Sequence, residues 1–178
     1  SIIGLGAIGV IVANTANRLG MDVYGCDPYL SIENAVNMTR DVTMVKSNEE
    51  LYEICDYLTI HVPLLDSTKG MLNKDAFDRM KDGVTILNLS RDTLVNEDDL
   101  RDALQSGRVG HYFVDFPSPV TVNLPNTTVT PHLGASTQES EDNCAKMAAR
   151  EIRDYIDNGN IRNSVNYPNV DAGVCTTE

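Results

Sequence analysis

The chain reads as an α/β protein built on a doubly wound, mostly parallel sheet with helices on both faces. Three observations predict it. Short β-rich runs alternate with helical patterns of about ten residues, which is the mark of repeated βαβ units. A glycine triplet, Gly4, Gly6 and Gly9 in GLGAIG, lies between the first run and the first helical pattern. An acid, Asp27, closes the second run 18 positions after Gly9. Together they describe a Rossmann-type fold.

The elements follow in order. SII and MDVYGCD are strands on either side of a helical pattern over 7–19. TMV precedes a helix over 48–55. YLTIHVP is a strand, followed by a helix over 73–80. GVTILNLS is the next strand, followed by a helix over 96–106. VGHYFVDF and TTVTPHL are the last two strands. A long helix runs over 136–158. Its STQESED start offers capping and acidic first-turn residues, and Gly159 offers a stop. From Tyr167 the sequence YPNVDAGVCTTE has Pro, Gly and polar residues without periodicity, so a tail or linker is expected over 167–178 and the nucleotide-binding domain over 1–166.

Composition narrows the function. Apolar residues make up 42% and charged ones 22%, as in a soluble globular enzyme. Net charge is −12, from 26 acids and 14 Lys and Arg. That argues against nucleic-acid and membrane partners, which need a basic face. Cys26, Cys55, Cys144 and Cys175 are widely spaced with no C-x-x-C, so reduced thiols in a cytoplasmic protein are expected and no metal site. The first strand is cut short, so a segment upstream of residue 1 is expected.

The glycine triplet points to a dinucleotide. Gly4 allows the tight turn, Gly6 lets a pyrophosphate approach the backbone, and Gly9 lets the helix pack against the strand. The N–H groups of Ala7 and Ile8 then face the pyrophosphate at a helix N-terminus. Asp27 can accept both hydroxyls of the adenosine ribose and repels a 2′-phosphate, which favours NAD over NADP.

Ligands of such sheets bind at the carboxyl ends of the strands. Arg91, His132 and His61 all fall there. An Arg at that edge can hold a substrate carboxylate in a bidentate pair, and a His can take a hydroxyl proton as hydride leaves the neighbouring carbon. His111 falls near the start of its strand and reads as structural. Asn37, Asn88 and Asn126 match the N-x-S/T acceptor pattern, which is idle in a cytoplasmic enzyme.

GLGAIGVIVAN, VYGCDPY, TIHVPLLDSTKGMLN, MKDGVTILNLSRDTLVNEDDL, PHLGASTQESEDNCA and NSVNYP, in this order, resemble the nucleotide-binding domain of the D-2-hydroxyacid dehydrogenases, most of all their phosphoglycerate dehydrogenase branch. The resemblance implies oxidation of 3-phosphoglycerate by NAD+ to 3-phosphohydroxypyruvate, in serine biosynthesis. It makes Arg91 the carboxylate anchor and His132 the acid/base. It has NAD contacted by Ala7, Ile8, Asp27, Val62, Leu89, Ser90 and Asp115, with Asp115 near the carboxamide. The run from His132 through Gly134 and Ala135 borders the nicotinamide. It also implies a homodimer and a separate substrate domain upstream, which would leave this chain alone inactive.

Two departures stand out. The family has Arg-Gly where this chain has Arg91-Asp92, so Asp92 is expected to compete for the guanidinium. The family also places a glutamate a few residues beyond Asp115 to pair with the catalytic histidine, and here Pro119 and Val120 stand in its place. A histidine without a carboxylate partner loses what raises its pKa and fixes its tautomer. That opens two alternatives to the first reading: another D-2-hydroxyacid dehydrogenase, or a non-catalytic NAD-binding sensor or scaffold.

Overall fold

Side chains alternate across a strand, and the first strand already divides the molecule in two. In the computed structural model, which describes residues 1–174, β1 (Ile2–Ile3) sends Ile2 to one apolar cluster and Ile3 to another. Ile2 joins Leu5, Val10, Ala13, Val23 and Val42, while Ile3 joins the larger cluster around Leu51, Phe77, Leu100 and Tyr112. Each cluster is closed by helices, so helices do lie on both faces. On the first side α1 (Ala7–Arg18) supplies Val10 and Ala13, with α2 (Ile32–Asn37) beside it. On the second, α3 (Asn48–Ile54), α4 (Lys74–Arg79) and α5 (Glu97–Gln105) bury Leu51, Phe77 and Leu100.

The other strands are β2 (Tyr24–Cys26), β3 (Thr43–Met44), β4 (Tyr57–Ile60), β5 (Val84–Asn88), β6 (Val109–Val114) and β7 (Thr127–Val129). They form one sheet in the order β3-β2-β1-β4-β5-β6-β7, and every pairing in it is parallel. Chain order reverses at β1, which pairs with β2 on one side and β4 on the other. This is the switch point at which a crevice opens outside the strand ends.

Helix starts are set by caps. Ser47, Asn73 and Asn96 each accept a first-turn N–H, from Glu50, Ala76, and Asp98 with Asp99. Several strands end short of their sequence runs. After β4 and β7 one further backbone bond each, from His61 N–H to the Ile3 carbonyl and from Thr130 N–H to the Val114 carbonyl, prolongs the ladder, and Pro63 and Pro131, which have no N–H to give it, follow. The short helix α2 was not expected, since Ile32 and Val36 are exposed and no residue in it is buried.

The first compact unit is Ser1–His132, and a second begins at Leu133. The second carries α6 (Gln138–Asn158), capped by Thr137, whose hydroxyl accepts from Ser140 N–H, and ended by Gly159 at φ 75°. Buried Asn160 accepts from Ala172 N–H at 2.7 Å and donates to the Gly173 carbonyl and to Asp154. The stretch from Tyr167 therefore folds back as far as Gly173, with Val170 bridged to Ile161. The rest of the expected tail, from residue 175 on, lies outside the described residues. Among the described residues no helix is long and apolar enough to cross a membrane.

Candidate active site

The glycine loop joins β1 to α1, and its spacing has a steric cause. Gly4 has φ 89°, and a Cβ there would stand 2.5 Å from the His61 carbonyl oxygen. A Cβ on Gly9 would collide with the Gly4 carbonyl. Gly6 differs: nothing lies within 4 Å of where its Cβ would be. Two glycines thus close the loop on itself and on β4, and the third leaves open space in front of the helix. Gly6 is also the N-cap of α1, with no side chain to cap it, and the first in-helix donor is Val10. Among the described residues nothing accepts from the N–H groups of Ala7 or Ile8. Open backbone donors at a helix N-terminus fit a pyrophosphate.

Asp27 follows β2 and is fixed beside this loop. Its carboxylate accepts from Leu5 N–H and Tyr29 N–H, both at 2.8 Å. The remaining lone pairs can take two vicinal hydroxyls, the chemistry of an adenosine ribose. Val62 sits beyond β4, half-buried, where a Cβ on Gly4 would meet it. His61 is held by Thr59 at 3.0 Å, and burial pushes its pKa down. A neutral ring wedged behind the glycine loop reads as support for it.

Leu89, Ser90 and Arg91 form the turn after β5. Leu89 is exposed, and the Ser90 hydroxyl donates to the Ile60 carbonyl at the end of β4. Sequence reading missed what holds this turn. Asn88 is 0% exposed, donates to the Arg91 carbonyl at 2.8 Å and to the Tyr112 hydroxyl at 3.2 Å, and accepts from Ser90 N–H. Its burial also closes the N-x-S match to modification in the folded protein. Asn88→Leu removes three hydrogen bonds, one of them to the buried Tyr112 hydroxyl, and is expected to destabilise the protein by about 3 kcal/mol, whereas Tyr112→Phe removes one bond and costs about 1 kcal/mol. Urea unfolding midpoints of the two variants check this.

The expected competition at Arg91 is absent from the structure. Arg91 donates to the Ser90 carbonyl at 2.6 Å, and Asp92 is engaged by Thr93 N–H at 2.8 Å. The guanidinium stays exposed at the crevice, free to turn to a carboxylate.

His132 lies just past β7, and Asp115 just past β6, its neighbour in the sheet. The two meet: His132 Nδ1 is 3.2 Å from Asp115 Oδ2, and His132 N–H donates to Oδ1 at 2.9 Å. The Thr130 hydroxyl also donates to Oδ1. That bond, with those from His132, holds the Asp115 carboxyl below its ordinary pKa against the desolvation that opposes it. The Phe116 ring lies 4.5 Å from the imidazole. The loop from 117 to 124 is tied elsewhere. Ser118 donates to Glu97 at 2.9 Å, Thr121 is buried, and Val120 packs on the larger cluster. Gly134 and Ala135 belong to the second unit, in a turn where Ser136 N–H donates to the Leu133 carbonyl. His111 bonds Thr128 at 2.9 Å and stacks on Phe113.

Comparison with known proteins bears on this arrangement. Residues 1–134 match the family described as D-isomer specific 2-hydroxyacid dehydrogenase, NAD binding domain. The chain is 37% identical over 180 residues to D-3-phosphoglycerate dehydrogenase of Haemophilus influenzae, covering 95% of this chain and 43% of that one. The enzyme of the same name from Bacillus subtilis is 35% identical, over 94% of this chain and 32% of its own length. The chain therefore spans less than half of either relative. Among solved structures, apo D-lactate dehydrogenase from Escherichia coli superposes with a TM-score of 0.74 at 27% identity, covering 87% of this chain and 49% of that one. A D-lactate dehydrogenase from Sporolactobacillus sp. gives 0.75 at 31% identity, covering 89% and 52%.

Proposed function

The chain belongs to the D-isomer specific 2-hydroxyacid dehydrogenases, as their NAD-binding domain, and from that premise we propose that it is the nucleotide-binding part of a longer enzyme that oxidises 3-phosphoglycerate to 3-phosphohydroxypyruvate, leading into serine synthesis. The observation that carries this reading is the pair His132–Asp115 just past the ends of β7 and β6, with an exposed Arg91 just past the end of β5, the next strand in the sheet. The names of the relatives support the phosphorylated substrate over other 2-hydroxy acids.

The dinucleotide would be held by the N–H groups of Ala7 and Ile8 over Gly6, by Asp27, and along Val62, Leu89 and Ser90. When bound, it supplies a hydride acceptor for the carbon that carries the substrate hydroxyl. Arg91 binds the carboxylate on that carbon and sets its face. His132 takes the hydroxyl proton on Nε2, which makes no hydrogen bond among the described residues. In the reverse direction it returns that proton to the carbonyl oxygen.

The alternative of a non-catalytic NAD sensor drew its force from a histidine without a carboxylate. Asp115, 3.2 Å from His132 Nδ1, supplies a carboxylate there and favours the dehydrogenase reading. The reading also makes the longer enzyme a homodimer, and it makes this chain alone an NAD binder with little turnover, since groups for the substrate phosphate belong to a separate substrate domain. A panel of 2-keto acids with NADH and the full-length protein tests the substrate. Highest kcat/KM is expected for 3-phosphohydroxypyruvate. Higher values for pyruvate or glyoxylate would assign another 2-hydroxyacid dehydrogenase instead.

A further inference from the structure

His132 stands at φ 56°, a left-handed conformation that costs a residue with a side chain about 1–3 kcal/mol unless its surroundings impose it. One carboxylate imposes it. Asp115 reaches the residue twice, with Oδ1 on the backbone N–H and Oδ2 on Nδ1. Thr130, two residues before His132, holds Oδ1 from a second side. Phe116 covers one face of the ring. Nδ1 thus faces the carboxylate, an arrangement that favours the tautomer with its proton on Nδ1 and its lone pair on Nε2.

We infer that Asp115 is the positioning residue of His132, the carboxylate that sets its tautomer and aims Nε2 at the substrate hydroxyl. It takes over the task that the resemblance gives to a glutamate further along the chain, where Pro119 and Val120 offer no acceptor side chain. The inference rests on His132 being the acid/base. The carboxylate that does reach the 117–124 loop, Glu97 at the start of α5, is bound to Ser118 and turned to another use. Asp115 is engaged instead by Thr130 and His132, from the two sides of its carboxylate. Asp115 is thus committed to the base, whereas the resemblance puts it at the cofactor.

The test uses the full-length protein with ¹⁵N-labelled histidine, the His132 signals being assigned by their loss in His132→Gln. At a pH where the imidazole is neutral, the wild type is expected to show Nδ1 protonated and Nε2 bare. Asp115→Asn keeps an acceptor oxygen for the His132 N–H and removes the charge that faces Nδ1–H. In that variant the Nε2–H tautomer is expected to rise to a major fraction. Its kcat for 3-phosphohydroxypyruvate reduction should fall about 10- to 100-fold, part of what general acid–base catalysis supplies. KM for NADH should change less than about threefold, since the dinucleotide is held elsewhere. An unchanged tautomer with unchanged kcat overturns the inference, as does a wild type in the Nε2–H form. A wild type that shows Nδ1–H but turns over no 2-keto acid supports the pairing and overturns the functional reading on which the catalytic role rests.

Discussion

His132→Gln in the full-length protein is expected to lower kcat about 100- to 10,000-fold while NADH binds within about threefold of the wild type. The substitution keeps a polar side chain of similar reach and removes the imidazole proposed to take and return the substrate proton. The contacts proposed for the pyrophosphate and ribose are on the glycine loop and Asp27, at the ends of β1 and β2, several strands away from β7 in the sheet order. Binding and chemistry should therefore separate. Stopped-flow turnover and NADH fluorescence on the same preparation measure them independently. Arg91→Ala should also separate from it in kind. It is expected to raise KM for the 2-keto acid with little change in kcat, because a charge that would bind the ground state and the transition state alike is lost from both.

The second large effect is a contrast between two glycines three positions apart. Gly9→Ala forces a methyl into the Gly4 carbonyl, which is backbone and already fixed by a bond from Gly4 N–H to Cys26. Something in the β1–α1 junction must shift, and a loss of about 3 kcal/mol or more is expected, with NADH binding lost along with it. Gly6→Ala meets nothing within 4 Å. Its effect on stability should be no more than about 1 kcal/mol, the difference between Gly and Ala at an N-cap. Yet its methyl stands where the pyrophosphate must approach, and NADH affinity should fall at least about tenfold. Thermal unfolding and NADH titration of both variants check the contrast. Equal behaviour of the two would mean that Gly6 does not face the dinucleotide.

Much of this was legible in the sequence for a physical reason. A parallel sheet must be covered on both faces, so its strands alternate with helices whose lengths and caps are local properties. The glycine spacing also records local sterics, the meeting of Gly4, Gly9 and His61. Arg91 and His132 could be placed because each follows a β-rich run, and such runs end at one edge of the sheet. What stayed hidden depends on which strands are neighbours. Asn88 meets Tyr112 because β5 pairs with β6 in a register that sets Ile86 opposite Tyr112. Asp115 meets His132, 17 positions later, because β6 pairs with β7 and both chains leave the sheet side by side. A signal for the second pair was present. An acid and a histidine each closing a strand, in consecutive strands of a parallel sheet, come to the same edge. The resemblance instead points to the family's glutamate position, in the Pro119–Val120 loop. The helix α2 was hidden for the opposite reason, since it buries nothing and so leaves no periodic trace.

The central claim is that this NAD-binding domain serves a working dehydrogenase whose base is His132 gripped by Asp115. The most direct test is NADH oxidation by the full-length protein with 3-phosphohydroxypyruvate, followed from pH 5 to pH 9 at saturating NADH. Turnover in the wild type that collapses in His132→Gln is the predicted result. NADH bound with no turnover at any pH would contradict it and would mark a domain that keeps its cofactor without the chemistry.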